Sequence, residues 1–436
     1  GVAEPTQHLL SGGGSFFDVA PNTPAAGRAA TALTMFHWGV HPWGIYGVVG
    51  LGLAFFSFNR GLPLGFRSMF YPLFGDRIYG WPGHTVDLAA IIATLFGLAT
   101  ATGLAALQIT AGIDSAATNV FGTGIPTTVW TTIAVIAVLI AVTTLSVWAG
   151  LEAGIRRLST VNVSLMSVLL LFVFVAGPTV YLLDVLNSGL AAYLGNFLAL
   201  SFYAEAFAGD AAGWQHAYTI FYWGFWITWA PFVGLFIARI SKGRTIRQFV
   251  AAVLAVPVAF SLVWMAAFNG AAIFVELNVL GGAISGPLQA QGRAVALFEL
   301  LSFYPLTLVA TLLVTLNLVT FFVTSADSGS LVASYFATGG RNTSDPAHRV
   351  IWPPVIGLSA IALLLGDGLN ALQTAVITTG LPFAIVILLL VYTLYRGLAR
   401  EREIRRSAAY QAAVQNNSDA TTSTETPPPA HGPGED

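Results

Sequence analysis

Nine apolar runs of about 20 residues divide this chain, each long enough to cross the hydrocarbon core of a bilayer as a helix. They fall near 33–57, 86–108, 128–151, 161–184, 217–238, 249–275, 297–325, 350–366 and 372–395. Backbone inside lipid has to satisfy its own hydrogen bonds, so runs of this kind fold as helices. Charged residues are 9% of the 436, against about 25% in an ordinary soluble domain. The expected fold class is therefore an all-α polytopic membrane protein embedded in the lipid bilayer.

Basic residues fix an orientation. Sixteen of the 18 Lys and Arg fall in alternate loops. Arg60, Arg67 and Arg77 are followed by Arg156 and Arg157, then Arg239, Lys242, Arg244 and Arg247, then Arg341 and Arg349, then Arg396, Arg400, Arg402, Arg405 and Arg406. Only Arg28 and Arg293 lie on the other side. By the positive-inside rule the rich side is cytoplasmic. The C-terminus is then cytoplasmic and the protein is a multi-pass protein of the plasma membrane. Segment 186–215 has no Lys or Arg, and its YLGNFLALSFYAEAF suggests a helix lying on the outer surface. The tail after about residue 407, rich in Ala, Asn, Ser, Thr and Pro, reads as disordered.

Several chemistries drop out. The chain has no cysteine, which removes disulfides, thiolate catalysis and cysteine metal sites. Its seven histidines are scattered without ligand spacing, so no transition-metal site is read. GxxxxGK[ST], HExxH, GxSxG and TVGYG are all absent, and with them the sequence signs of ATP drive, zinc hydrolysis, a serine nucleophile and a potassium filter. No basic, aromatic-interleaved patch points to nucleic acid. The expectation is a protein that is not an enzyme and carries no cofactor.

Two stretches carry candidate chemistry. In TIFYWGFWITWAPFVGLFIARI, Trp223, Trp226 and Trp229 stand three apart, which keeps neighbouring rings on roughly one helix face, and Pro231 then interrupts the helix pattern. FHWGVHPWGIYG adds Trp38, Trp43 and Tyr46 around Gly39, Pro42 and Gly44, a composition that permits a bent or opened helix. Ring faces of this kind cage a cation that has no hydrogen-bond donors, such as a quaternary ammonium group. An interfacial aromatic belt is the competing reading, although Trp226 and Trp229 sit mid-run rather than at an end. In LVTFFVTSADSGSLVASY an apolar run meets Thr324, Ser325, Asp327, Ser328 and Ser330. Hydroxyl and backbone oxygens there suit a hard monovalent cation, while back-bonding to the helix is the plainer alternative.

These blocks carry a resemblance. FHWGVHPWGIYGVVGLGLAFFSFNRGLPL, GIRRLSTVNVSLMSVLLLFVFVAGPTVYLLD, FYWGFWITWAPFVGLFIARISKGRTIRQF and FVTSADSGS resemble the betaine/choline/carnitine transporter family from Gly1 to about Arg400. The resemblance implies a leucine-transporter-like core of two inverted five-helix repeats and a homotrimer. It also implies that this chain lacks the N-terminal two and a half helices of the usual twelve, since GVAEP falls inside the first helix of the first repeat. The domains are then 1–184, the remainder of the first repeat; 185–216, an external loop; 217–398, the second repeat; and 399–436, a cytoplasmic tail.

Carried over by motif, Trp38, Trp43, Tyr46 and Trp226 resemble the family's aromatic box, with Trp229 a further cation–π partner. Phe221 and Phe236 match outer and inner gate positions. Thr324 and Ser325 match hydroxyl ligands of a sodium site to which Phe321 adds backbone. Thr94 and Phe232 lie near a second sodium position. Phe225 stands where many members have a second adjacent Trp. Leu98, close to Thr94, replaces a hydroxyl ligand, so one coupled sodium is expected rather than two. The implied activity is sodium-coupled import of a betaine-like solute. A proton-coupled choline carrier, a sodium-independent exchanger and a non-transporting osmolyte sensor stay open as alternatives.

Overall fold

The structure is a computed structural model that describes residues 1–149, 152–209, 212–340, 346–407 and 412. Arg341 and most of the expected disordered tail lie outside the described residues. Among those described there are helices and turns but no strand, and eight helical segments are long and apolar enough to cross a membrane. We number the helices that matter here α1 (Ala3–Leu10), α2 (Pro24–Trp38), α3 (Val40–Ala54), α4 (Trp81–Phe121), α5 (Val129–Trp148), α6 (Glu152–Ala176) and α7 (Thr179–Gly195). They continue as α8 (Phe221–Ile240), α9 (Ile246–Phe274), α10 (Ser285–Gln291), α11 (Thr307–Ala337) and α12 (Trp352–Arg406).

The nine runs and the eight segments describe one arrangement. The last two runs share α12, which is broken where Asp367 and Gly368 leave helical dihedral angles. Other boundaries differ. Helix α4 has 41 residues, about 60 Å at 1.5 Å per residue, so it runs well past the expected end at 108. The run 161–184 stops at Ala176, where Gly177 and Pro178 end α6 and a separate α7 begins. The segment 186–215, expected to carry a surface helix, holds the end of α7, a short helix Phe197–Ser201 and a turn at Glu205–Phe207. Run 297–325 splits into a short helix Ala296–Ser302 and α11, which places Thr324 and Ser325 inside a helix rather than at a span end. Residues 399–406, assigned from sequence to the tail, continue α12.

Local chemistry explains the helix ends. Thr23 caps α2 by accepting the Ala26 N–H at 3.2 Å, with Pro24 at the first helical position. Thr128 with Thr131 and Thr245 with Gln248 form reciprocal capping boxes at α5 and α9. The break between α2 and α3 follows from Pro42, which has no N–H to give the Trp38 carbonyl. The two backbone groups beside the break find side-chain partners: Val40 N–H donates to the Tyr193 hydroxyl at 3.2 Å, and the His37 carbonyl accepts from Trp226 Nε1 at 2.8 Å. Backbone freed within a membrane is tolerated only where neighbours satisfy it in this way.

Burial separates centre from periphery. Half of the most apolar window is buried in α4 and in the segment containing α8, against 22% in α5 and 17% in the α6 segment. Side chains such as Val138, Leu145, Leu171, Val175, Leu381 and Leu388 point outward, as surfaces meeting lipid do. Helix α8 is the hub, packed against α3, α4 and α12. Small residues let it in. A Cβ on Gly97 of α4 would stand 2.9 Å from Thr228 Oγ1 and 3.0 Å from the Trp229 ring, the close approach that small residues permit between membrane helices.

Candidate solute-binding site

Where α2 breaks, its last residue faces α8. Trp38 meets Trp226 edge to face, with ring centroids 4.8 Å apart, and Tyr222 at 5.6 Å. Tyr46, one helix on, lies 6.3 Å from Trp226, and Trp43 stands 5.5 Å from Tyr46. Trp38, Trp43, Tyr46 and Trp226 are thus linked by ring contacts, and of the four only Trp38 lines the cavity beside Glu4. Trp229 is one step further along α8, joined through Phe225 at 5.6 Å and Phe232 at 5.5 Å, with its Nε1 donating to the Gly97 carbonyl at 3.1 Å. The three tryptophans of α8 do not share one face. A three-residue step turns each ring about 60° from the last, so Trp223 packs on Phe36 and His41 while Trp229 reaches α4.

Sequence reading missed the group that holds Trp38. Glu4 of α1 is 6% exposed. Its Oε2 accepts from Trp38 Nε1 at 2.9 Å and from the Tyr222 hydroxyl at 2.7 Å, and its Oε1 lies 2.6 Å from His37 Nδ1. The far nitrogen of His37 is 3.0 Å from Thr219 Oγ1. His8 completes the cluster, its Nε2 3.5 Å from Glu4 Oε1. Two of the seven histidines that look scattered along the chain, His8 and His37, are therefore gathered here with a carboxylate. Ligand atoms of Glu4, His8 and His37 lie within 4.8 Å of one another, but their protons are committed. The Trp214 indole, a donor only, reaches His8 Nδ1 at 3.2 Å, so the ring proton of His8 sits on the Nε2 that faces Glu4. A protonated imidazole nitrogen offers no lone pair to a metal. The one sequence sign of this cluster is a lone carboxylate, Glu4, in an otherwise uncharged opening segment.

A cavity of about 690 Å³ opens beside this cluster, with Glu4, Trp38, Phe221, Tyr222 and Phe225 in its wall. Phe221, expected at an outer gate, is buried there against Tyr222 and Phe225. Phe236, expected at an inner gate, is 55% exposed on α8 and belongs to none of these ring contacts. Among the sodium candidates, the Thr324 hydroxyl donates back to the Thr320 and Phe321 carbonyls, both at 3.0 Å. Its oxygen keeps lone pairs for a hard cation, and Ser325 lies half-buried beside it. The Phe321 ring is 46% exposed, so only its backbone is available to such a site. Thr94 is buried and back-bonds to Ala90 at 2.8 Å.

Helices long and apolar enough to cross a membrane surround a cavity lined by aromatic rings, an architecture that suits a membrane transporter. A model of the betaine/carnitine/choline family transporters matches residues 1–403, and the chain belongs to that family. It is 42% identical to a glycine betaine/proline/choline transporter of Vibrio parahaemolyticus over 94% of this chain and 74% of that protein. A glycine betaine transporter of the same organism is 40% identical, over 92% and 75%. An osmo-independent choline transporter of Acinetobacter baylyi is also 40% identical, over 92% and 75%.

Proposed function

We propose that this chain imports a betaine-like quaternary ammonium osmolyte, coupled to sodium, by alternating access. The observation that carries the reading is Trp38 in the cavity wall, backed edge to face at 4.8 Å by the buried Trp226 and with its indole bonded to the Glu4 carboxylate. A trimethylammonium group has no N–H to donate, so ring faces and a nearby negative field are what can hold it. The relatives that carry betaine or choline in their names support the same solute class. Sodium would sit at Thr324, Ser325 and the Phe321 carbonyl. A membrane potential of about 100 mV adds about 2.3 kcal/mol per inward charge, so symport of a zwitterion with sodium is driven by voltage as well as by gradient.

Trp226→Ala removes one ring face and the bond to the His37 carbonyl. A desolvated cation–π contact contributes up to about 2 kcal/mol, about thirtyfold in affinity. The expected result is a betaine dissociation constant raised by that order in a calorimetric titration. Unchanged affinity would mean the rings do not hold the substrate. Thr324→Ala combined with Ser325→Ala is expected to raise several-fold the sodium concentration for half-maximal uptake into proteoliposomes. Sodium dependence equal to the parent would place the ion elsewhere.

One observation favours a second reading, proton coupling. Glu4, His37 and Thr219 form a buried relay whose terminal hydroxyl can either donate to or accept from His37 Nε2, at 3.0 Å. Uptake driven by an imposed pH gradient without sodium would select it over sodium symport.

A further inference from the structure

Among the described residues of the cavity wall, two side chains carry formal charge, Glu4 and Arg293. They are in opposite situations. The Glu4 carboxylate is saturated by Trp38, Tyr222 and His37. Arg293 has no carboxylate within ion-pair distance among the described residues. It follows Gly292, whose positive φ of 93° ends α10 and turns the chain. Its guanidinium carbon lies 5.3 Å from the centre of the Tyr218 ring. That ring is itself fixed, with the Tyr218 hydroxyl donating to Gln7 Oε1 at 3.0 Å.

Two levels follow from this. Tyr222 and Glu4 hold Trp38 at one level. Tyr218, four residues before Tyr222, and Gln7, three after Glu4, carry Arg293 at the next. One helical turn, about 5–6 Å, separates them. A guanidinium resting on an aromatic face keeps its N–H fork for a planar anion, and carboxylate is the geometry it fits best. The cavity is therefore polarised, with negative charge and ring faces at one level and an unneutralised cation one turn away.

We propose that Arg293 binds the carboxylate of a zwitterionic substrate whose ammonium lies against Trp38 in the same cavity wall, and so selects betaine-like solutes over choline. The inference rests on the solute class proposed above. Glycine betaine and choline share a trimethylammonium head and differ in carrying a carboxylate or a hydroxyl, so the pair isolates the role of Arg293.

The test titrates both solutes against purified protein in lipid nanodiscs, for the parent, Arg293→Gln and Arg293→Lys. The expected result is a preference for betaine over choline in the parent that Arg293→Gln reduces at least tenfold and Arg293→Lys partly restores. A preference unchanged by Arg293→Gln, or both affinities falling equally, would overturn the role of Arg293 while leaving the solute class standing. Binding of neither solute by a folded parent would instead overturn the proposed function, and this inference with it.

Discussion

Glu4→Ala is expected to abolish substrate binding and to lower the thermal unfolding midpoint sharply, whereas Glu4→Gln is expected to fold normally and bind weakly. The difference follows from counting donors. Alanine leaves His37 Nδ1, Trp38 Nε1 and the Tyr222 hydroxyl without their shared acceptor. Each unsatisfied buried donor costs about 1–3 kcal/mol, and three together approach the whole stability of an ordinary domain, about 5–15 kcal/mol. Glutamine can satisfy all three. Its carbonyl accepts from Trp38 and Tyr222, its amide donates to His37 Nδ1, and the ring proton of His37 moves to Nε2, where Thr219 Oγ1 at 3.0 Å accepts it. What glutamine removes is charge. An ammonium on the Trp38 face at roughly 7 Å from the carboxylate, at an effective dielectric of about 20, loses about 2 kcal/mol, or about thirtyfold in affinity. Scanning fluorimetry and betaine titration on both variants separate the two effects. Equal stability of the two would mean that Glu4 does not organise the cluster, and parental affinity in Glu4→Gln would mean that its charge does not act on the solute.

The sequence made some of this arrangement legible and hid the rest, for identifiable reasons. Apolar length and helix breakers are local properties, so the membrane helices and the interruption near Pro42 can be read directly, whereas the apolar run through α6 continues past its break at Gly177–Pro178 and hides it. The ring contacts of Trp38, Tyr46 and Trp226 follow from the family blocks that carry them. The length of α4 is hidden because its residues past 108 are less apolar yet still helix-forming, and hydropathy marks the bilayer rather than the helix. The Glu4–His8–His37 cluster is hidden because periodicity says which face a residue occupies, not which helix lies opposite. Glu4 and His37 are 33 positions apart on separate helices. Arg293 reads from sequence as one of two basic residues against the charge rule, and only the turn at Gly292 brings it over Tyr218.

Gly380→Val is expected to disrupt the site without touching it. Helices α8 and α12 meet at two glycines, where a Cβ on Gly380 would stand 3.0 Å from the Gly224 Cα and 3.1 Å from its carbonyl oxygen. A Cβ on Gly224 would stand 3.1 Å from the Ile377 Cα and the Val376 carbonyl oxygen. The obstacle on both sides is backbone, which cannot rotate away as a side-chain tip does. Association of helices within a membrane relies on such close packing, because lipid tails remove most of the hydrophobic drive. A branched side chain here has to part the helices, and overpacking typically costs about 1–3 kcal/mol. Trp226 is two residues from Gly224 and is held by one bond to the His37 carbonyl, at 2.8 Å. A displacement of α8 therefore reaches the box at once. Gly195→Ala, at an exposed α7 position with nothing within 4 Å of the added Cβ, supplies the comparison for an unobstructed glycine. Gly380→Val is expected to lower the unfolding midpoint and weaken betaine binding at least tenfold, with Gly195→Ala matching the parent in both. Parental binding in Gly380→Val would show that α8 moves on α12 freely, and that the box is positioned by α3 and the Glu4 cluster alone.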